Sequence, residues 1–261
     1  MAPCRSCRFD VTEDVVYLGV FVWLLCSVAR PTRRQAAVLV CALVWCCRLL
    51  GFLAYRIVAR GSDWRFDKLI TARAYNLFGW TAGGLWCFLN GFCLWILASA
   101  ESAEGGGDGD IGPLAAVGLA LFALGLFVET LADVQKYRWT GERRASGAEP
   151  RWIDTGLWAL SRHPNYVGEM ALWLGLAMAC AEQALSAEGA SEAVRAKWAA
   201  LCFVSPLWSF AFLLFTSLML LEKRADARWG GDPEYLAYRD GTPILVPSLG
   251  ALLGGCRRRS S

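Results

Sequence analysis

Apolar residues in this chain come in long blocks, and short polar stretches separate the blocks instead of alternating with them at amphipathic spacing. A soluble domain of 261 residues carries shorter apolar runs with a polar face. Blocks near twenty residues with almost no charge have the length an α-helix needs to cross lipid. Six are expected, at 15–29, 35–58, 77–99, 111–131, 167–181 and 198–221. Helix is the simplest way to satisfy so much backbone in lipid, so the pattern predicts an all-α, polytopic membrane helical bundle of about six transmembrane helices. The first block is barely long enough and reads as a signal-anchor, because Arg30 and Pro31 follow it without a small-x-small cleavage pattern. Arg48 interrupts the second, either facing protein or snorkelling. The fifth is short, as though its first turn lies in the interface, and the sixth is expected to kink near Pro206.

Between the blocks the charge alternates. Stretches after blocks two, four and six are basic and those after three and five acidic, which places the basic loops and both termini in the cytosol by the positive-inside rule. Arg30, Arg33 and Arg34 run against that assignment. The segment RGSDWRFDKL, with Trp64 and Phe66, suits an interfacial loop or a short surface helix, and SAEGGGDGD at 102–110 reads as a flexible linker. Residues 133–163 read as a long basic loop and 182–197 as a polar one. The expected organisation is N-terminal spans over 1–110, a C-terminal membrane domain over 111–250 and a basic tail over 251–261. Arg257 to Arg259 in that tail suit anionic headgroups.

Composition narrows the chemistry. A net charge of +3 lends no support to nucleic-acid binding. Of eleven cysteines, Cys26, Cys41, Cys46, Cys47, Cys87, Cys93, Cys180 and Cys202 fall inside apolar blocks and behave as small hydrophobes. Cys4 and Cys7 form a CxxC without a second pair, and a single histidine makes a His-built metal site a poor expectation, so no metal is assigned.

That histidine, His163, lies in TGLWALSRHPNYVGE, where polar groups stand just before an apolar run. Pro164 is well placed to start a helix, which sets Asn165 four residues and Tyr166 three residues before Glu169 near a helix N-terminus, a natural anion seat. On the expected topology, ETLADVQKYRW at the end of block four and the polar stretch after block six lie on the same side. Glu129, Asp133 and Lys136 share a helical face. Together these segments supply Lys136, Arg138, Arg162, His163, Lys223 and Arg224 as cations, with tyrosines at 166, 235 and 238. Arginine grips phosphate with a two-pronged geometry. Plainer roles compete: Tyr166 and Trp173 as interfacial anchors, Arg143 and Arg144 as positive-inside charge, His163 as an interfacial side chain. Glu169 resists such a reading, since a carboxylate one turn into an apolar run is costly without partners.

ADVQKYRW followed by TGLWALSRHPNYVGE, with EKR after the last block and then WGGDPEY and TPILVP, resembles the membrane-embedded sterol reductases and the C-terminal domain of steroid 5-alpha-reductases. The chain looks most like the branch of that superfamily labelled DUF1295. The likeness is strong over 129–247, weaker over RGSDWRFDKL and unspecific before it. A similar layout occurs in isoprenylcysteine and phospholipid methyltransferases, whose RHPxY segment binds S-adenosylmethionine, so the resemblance implies a fold more securely than a reaction. It implies a cytosolic cofactor pocket in the C-terminal half, with NADPH bound by Lys136, Arg162, His163, Asn165 and Tyr166, and with Arg224, Tyr235 and Tyr238 closing over it. Hydride transfer to a polarised carbon–carbon double bond of a sterol or other lipophilic enone would follow, with Tyr166 as proton donor and Glu169 beside it as a catalytic group. The density of Lys and Arg, the QK-x-R pattern and NYxGE favour NADPH over S-adenosylmethionine, which carries a sulfonium and no phosphate. Methyl transfer to a lipid or prenyl group is the alternative, and a non-enzymatic lipid-binding protein the third. The relatives suggest the endoplasmic reticulum.

Overall fold

Every regular element among the described residues is helical, as backbone in lipid requires. The computed structural model describes residues 15–16, 18–24, 26–28, 31–60, 73–99 and 111–246. The CxxC pair, all but the first residue of RGSDWRFDKL, the acidic glycine-rich stretch and the arginine tail lie outside them. Residues 15–16, 18–24 and 26–27 are helical, with Phe21 and Leu24 buried. Then come α1 (Arg33–Arg60), α2 (Arg73–Asn90), α3 (Phe92–Ser99) and α4 (Pro113–Ala145). A 3-10 turn (Gly156–Ala159) leads to α5 (Pro164–Leu185), α6 (Glu192–Cys202) and α7 (Val204–Phe212). A π-helical stretch (Leu213–Leu218) joins α7 to α8 (Met219–Trp229), and α9 (Pro233–Gly241) closes the described chain.

Among the described residues, three stretches are long and apolar enough to cross a membrane: Arg33–Tyr55, Pro113–Ala145 and Glu192–Trp229. Thr81–Asn90 and Phe92–Ser99 make a fourth if taken as one span bent by 51°. The bend falls at Gly91, a poor helix former, where Leu94 N–H turns back to the Gly91 carbonyl at 2.9 Å. The fifth expected block is a helix of 22 residues, α5, which is not among the crossing stretches; Glu169, Glu182 and a polar first turn dilute it.

Two expectations need correcting. Residues 133–145 are not loop: α4 continues through them, because ADVQKYRW and ERRA are rich in helix formers. It ends in a Schellman turn, with Gly147 at φ 66, Ala148 N–H on the Arg143 carbonyl at 3.0 Å and Gly147 N–H on that of Arg144 at 3.3 Å. Likewise α5 reaches Leu185 and α6 starts at Glu192 behind a Ser191 cap, so only 186–191 remains of the second polar loop. The sixth block is interrupted near Pro206 as expected: it breaks at Phe203, three residues before that proline, whose ring has no N–H for the Cys202 carbonyl. Nothing in the sequence announced the π-helical stretch that follows.

The chain forms two compact units, each built from two separate segments. One is Met1–Ala120 with Trp173–Ser209, the other Leu121–Leu172 with Phe210–Ser261. In the first, Trp173 is fully buried edge-on against Trp45, with ring centroids 5.0 Å apart, and so is a core residue, not an interfacial anchor. Polar ties within the apolar packing join remote helices there: Gln35 Nε2 donates to the Leu97 carbonyl at 3.0 Å, and Cys93 N–H to Ser205 Oγ at 2.9 Å. Arg48 lays its guanidinium over the Phe52 ring, 5.6 Å from the centroid.

In the second unit the core forms where Ala132 on α4 meets Ile153 and Trp158, with Trp139 and Leu157 against them. A little earlier on α4, Gly125 lets it approach α5 so closely that a Cβ there would stand 2.6 Å from the Gly168 carbonyl oxygen. Gly168 is the reciprocal case, its absent Cβ 2.6 Å from the backbone nitrogen of buried Glu129. Such an approach is possible only without side chains at both positions.

Candidate functional site

The second unit holds every residue of the histidine cluster. Gln135 on α4 reaches back to the segment before α5: its Oε1 accepts Leu157 N–H at 3.0 Å, and Gly156 passes over its amide with φ 62. Trp158 donates its indole N–H to the Ala132 carbonyl at 3.1 Å, fixing the 3-10 turn against α4. The chain beyond α9 straps the next residues down, since Arg162 N–H donates to the Pro243 carbonyl at 2.9 Å and Ser161 Oγ to that of Ile244 at 3.4 Å. Helix α5 then starts at Pro164 as expected, with the His163 carbonyl accepting Tyr166 N–H at 3.1 Å and Val167 N–H at 3.3 Å.

His163 is buried, 6% exposed. Its Nε2 lies 2.7 Å from Glu222 Oε1, and Arg162 Nη1 pairs with the other oxygen of the same carboxylate. Glu222 therefore bridges the two residues that precede α5. The Tyr166 ring stacks on the imidazole at 5.4 Å and 13°. From α4, Lys136 sets its ammonium 4.4 Å over the Trp158 ring. Burial holds the imidazole below its ordinary pKa; the Glu222 hydrogen bond and charge push the other way, and the Lys136 and Arg162 charges add to the lowering. The net lowering favours the neutral ring.

Segments remote in sequence thus meet at His163: the end of α4, the residues before α5, and α8. Lys136, Arg162, His163 and Tyr166 act on one another through the contacts above. Asn165 follows Pro164 with its Oδ1 buried and without a hydrogen bond, and Arg162 Nε is likewise buried and unbonded. Glu169 lies three residues after Tyr166, half-buried on the same face of α5. Arg224 is exposed on α8, two residues after Glu222, a spacing that turns it to another face.

Tyr235 and Tyr238 lie near the cluster and feel the charges of Arg162 and Glu222, yet both hydroxyls are engaged elsewhere. Tyr235 donates to Asp226 Oδ1 at 3.0 Å and Tyr238 to the Trp158 carbonyl at 2.9 Å. The rings of Trp152, Trp229, Tyr235 and Tyr238 pack together with centroids 5.3–6.5 Å apart. Burial, and for Tyr235 also the Asp226 hydrogen bond, pushes both phenols above their ordinary pKa. The neighbouring cations do not make these two tyrosines acidic.

Sequence reasoning missed Glu222. The signal was present: a carboxylate at the end of the last apolar block draws the same suspicion as Glu169. Its neighbours Lys223 and Arg224 drew the attention instead. Gln135, Ser161 and Pro243–Ile244 lie in the quoted motifs, but their partners carried no signal, because only tertiary packing supplies them.

Among the described residues no cluster of three His, Cys, Asp or Glu side chains could hold a metal ion. The family model described as "Protein of unknown function (DUF1295)" matches residues 10–242. No curated protein and no solved structure matches the chain.

Proposed function

Because the chain belongs to the DUF1295 family, and the matched span carries the whole histidine cluster, we propose that it is a membrane-embedded, NADPH-dependent oxidoreductase that reduces a carbon–carbon double bond in a lipophilic, enone-type substrate. The observation that carries this reading is the gathering of Lys136, Arg162 and His163 at the start of α5, where Arg162 keeps a buried Nε–H without an acceptor. A buried donor left unbonded is costly, and an anionic group at a helix N-terminus would satisfy it. Lys136 and Arg162 would hold the phosphates, His163, Asn165 and Tyr166 would flank them, and Arg224, Tyr235 and Tyr238 would border the opening. NADPH supplies a hydride when bound. The proton that completes the reduction would come from the start of α5, where Tyr166 stacks on His163 and Glu169 follows Tyr166 by three residues. A six-crossing topology with this site facing the cytosol, in the endoplasmic reticulum membrane, belongs to the same proposal and draws on the alternation of basic and acidic loops.

A second reading, lipid- or prenyl-directed methyl transfer from S-adenosylmethionine, draws on Glu222. Its carboxylate offsets part of the Lys136 and Arg162 charge, and with the unbonded Asn165 Oδ1 it would suit a cofactor that bears cations. Calorimetric titration of the detergent-purified protein with NADPH and with S-adenosylmethionine separates the two. Saturable NADPH binding that disappears in an Arg162→Ala, His163→Ala double variant is expected. Binding of S-adenosylmethionine alone would reverse the ranking, and binding of neither would favour a non-enzymatic membrane protein.

A further inference from the structure

On the reading of this cluster as the reaction site, we infer that Glu222 and Arg162 hold His163 in one tautomer, with its proton on Nε2, so that Nδ1 is the atom through which the site takes up and delivers a proton. The chemistry of each partner fixes the next. A guanidinium only donates, so Arg162 Nη1 claims one oxygen of Glu222. A carboxylate only accepts, so the remaining oxygen, 2.7 Å from Nε2, requires a hydrogen there. In the neutral ring the lone pair is then on Nδ1, and among the described residues no hydrogen bond engages that atom. The backbone N–H of His163 on Ser161 Oγ at 3.2 Å and the stacked Tyr166 ring restrain the imidazole plane.

The charged and titratable groups facing the ring are Glu222 from α8, Lys136 from α4, and Arg162 and Tyr166 beside it. In the forward direction the neutral ring first takes up a solvent proton on Nδ1; the Nδ1–H bond of the resulting imidazolium then breaks, and the proton passes to the substrate carbon left electron-rich by hydride addition. The ring returns to neutral with Nε2–H in place. That is the starting state, and Glu222 remains a carboxylate throughout, as a positioning residue that also stabilises the charged ring. Tyr166 orients the imidazole in this scheme instead of supplying the proton.

The chain contains one histidine, so ring-nitrogen-15 labelling of histidine gives one pair of resonances, provided purification uses a tag without histidine. In cofactor-free protein in detergent at pH 7.5, Nε2 is expected to resonate as a protonated nitrogen and Nδ1 as an unprotonated one. Glu222→Gln should invert this. Arg162 must keep the single remaining oxygen, which turns the amide NH2 toward Nε2 and leaves the hydrogen on Nδ1; the ring pKa should fall as well. A purely structural role for Glu222 would leave the tautomer alone. A wild-type ring protonated on Nδ1, or an even mixture, overturns the inference, as does an unchanged tautomer in the variant. The wild-type spectrum decides the matter even if the variant does not fold. Adding NADPH tests the reductase reading separately: its phosphates should raise the His163 pKa, whereas the sulfonium of S-adenosylmethionine should not. No response to either counts against that reading and leaves the tautomer result standing.

Discussion

Gly168→Ala tests the contact on which the cluster is built. The new methyl carbon would stand 2.6 Å from the Glu129 nitrogen and the Gly125 oxygen and 2.9 Å from the Glu129 Cα, where ordinary contact begins at 3.4 Å. The shortfall is about 0.8 Å against backbone atoms, which cannot rotate aside as a side chain would. Helices α4 and α5 must part locally, an overpacking cost of about 1–3 kcal/mol. The alanine recovers roughly 0.5–1 kcal/mol as a better helix former. With a net loss near 1 kcal/mol, and about 2–4 °C for each kcal/mol in a chain of this size, melting should fall by roughly 2–4 °C. Gly141→Ala is the control: it lies on the same α4 with nothing within 4 Å of the added carbon, and should melt slightly higher than wild type. Near-ultraviolet circular dichroism in detergent follows the packed Trp139, Trp152 and Trp158 during heating. A Gly168→Ala protein that melts with or above the wild type would refute the close approach of the two helices, and with it the support beneath Lys136 and His163.

Three further outcomes are expected. The folded His163 has a lowered pKa, so the unfolded chain binds more protons: stability should be full above pH 6.5 and decline as pH falls through the folded pKa. His163→Asn should flatten that slope between pH 5 and 7, as denaturant titrations at each pH would show; parallel slopes would exclude the histidine as its source. Arg162→Ala removes a cation that lowers the His163 pKa and leaves Glu222 to the imidazole alone, so the ring pKa measured by nitrogen NMR should rise. The same change should destabilise by less than the roughly 3–5 kcal/mol of a fully buried pair, because the Glu222 side chain keeps 20% of its surface exposed. Trp158→Phe loses the indole hydrogen bond to Ala132 and weakens the Lys136 contact, together about 1–2 kcal/mol by chemical denaturation. An unchanged midpoint would mean that the 3-10 turn is held by something else.

Helical class, apolar blocks and the start of α5 were legible in the sequence, because hydrophobic runs and proline act locally: lipid demands helix of whatever lies in it, and Pro164 fixes a first turn without help. The likeness of SRHPNYVGE and EKR to a family named segments that meet at His163, and the DUF1295 match over 10–242 bears out the family. Tertiary structure decided the pairing within them. That Glu222 bridges Arg162 and His163, that Tyr235 and Tyr238 give their hydroxyls to Asp226 and the Trp158 carbonyl, and that Trp173 packs on Trp45 are consequences of which helix faces meet. Linear order records spacing along one helix, whereas the charge state of a buried imidazole depends on neighbours about sixty residues away, as Glu222 is from His163.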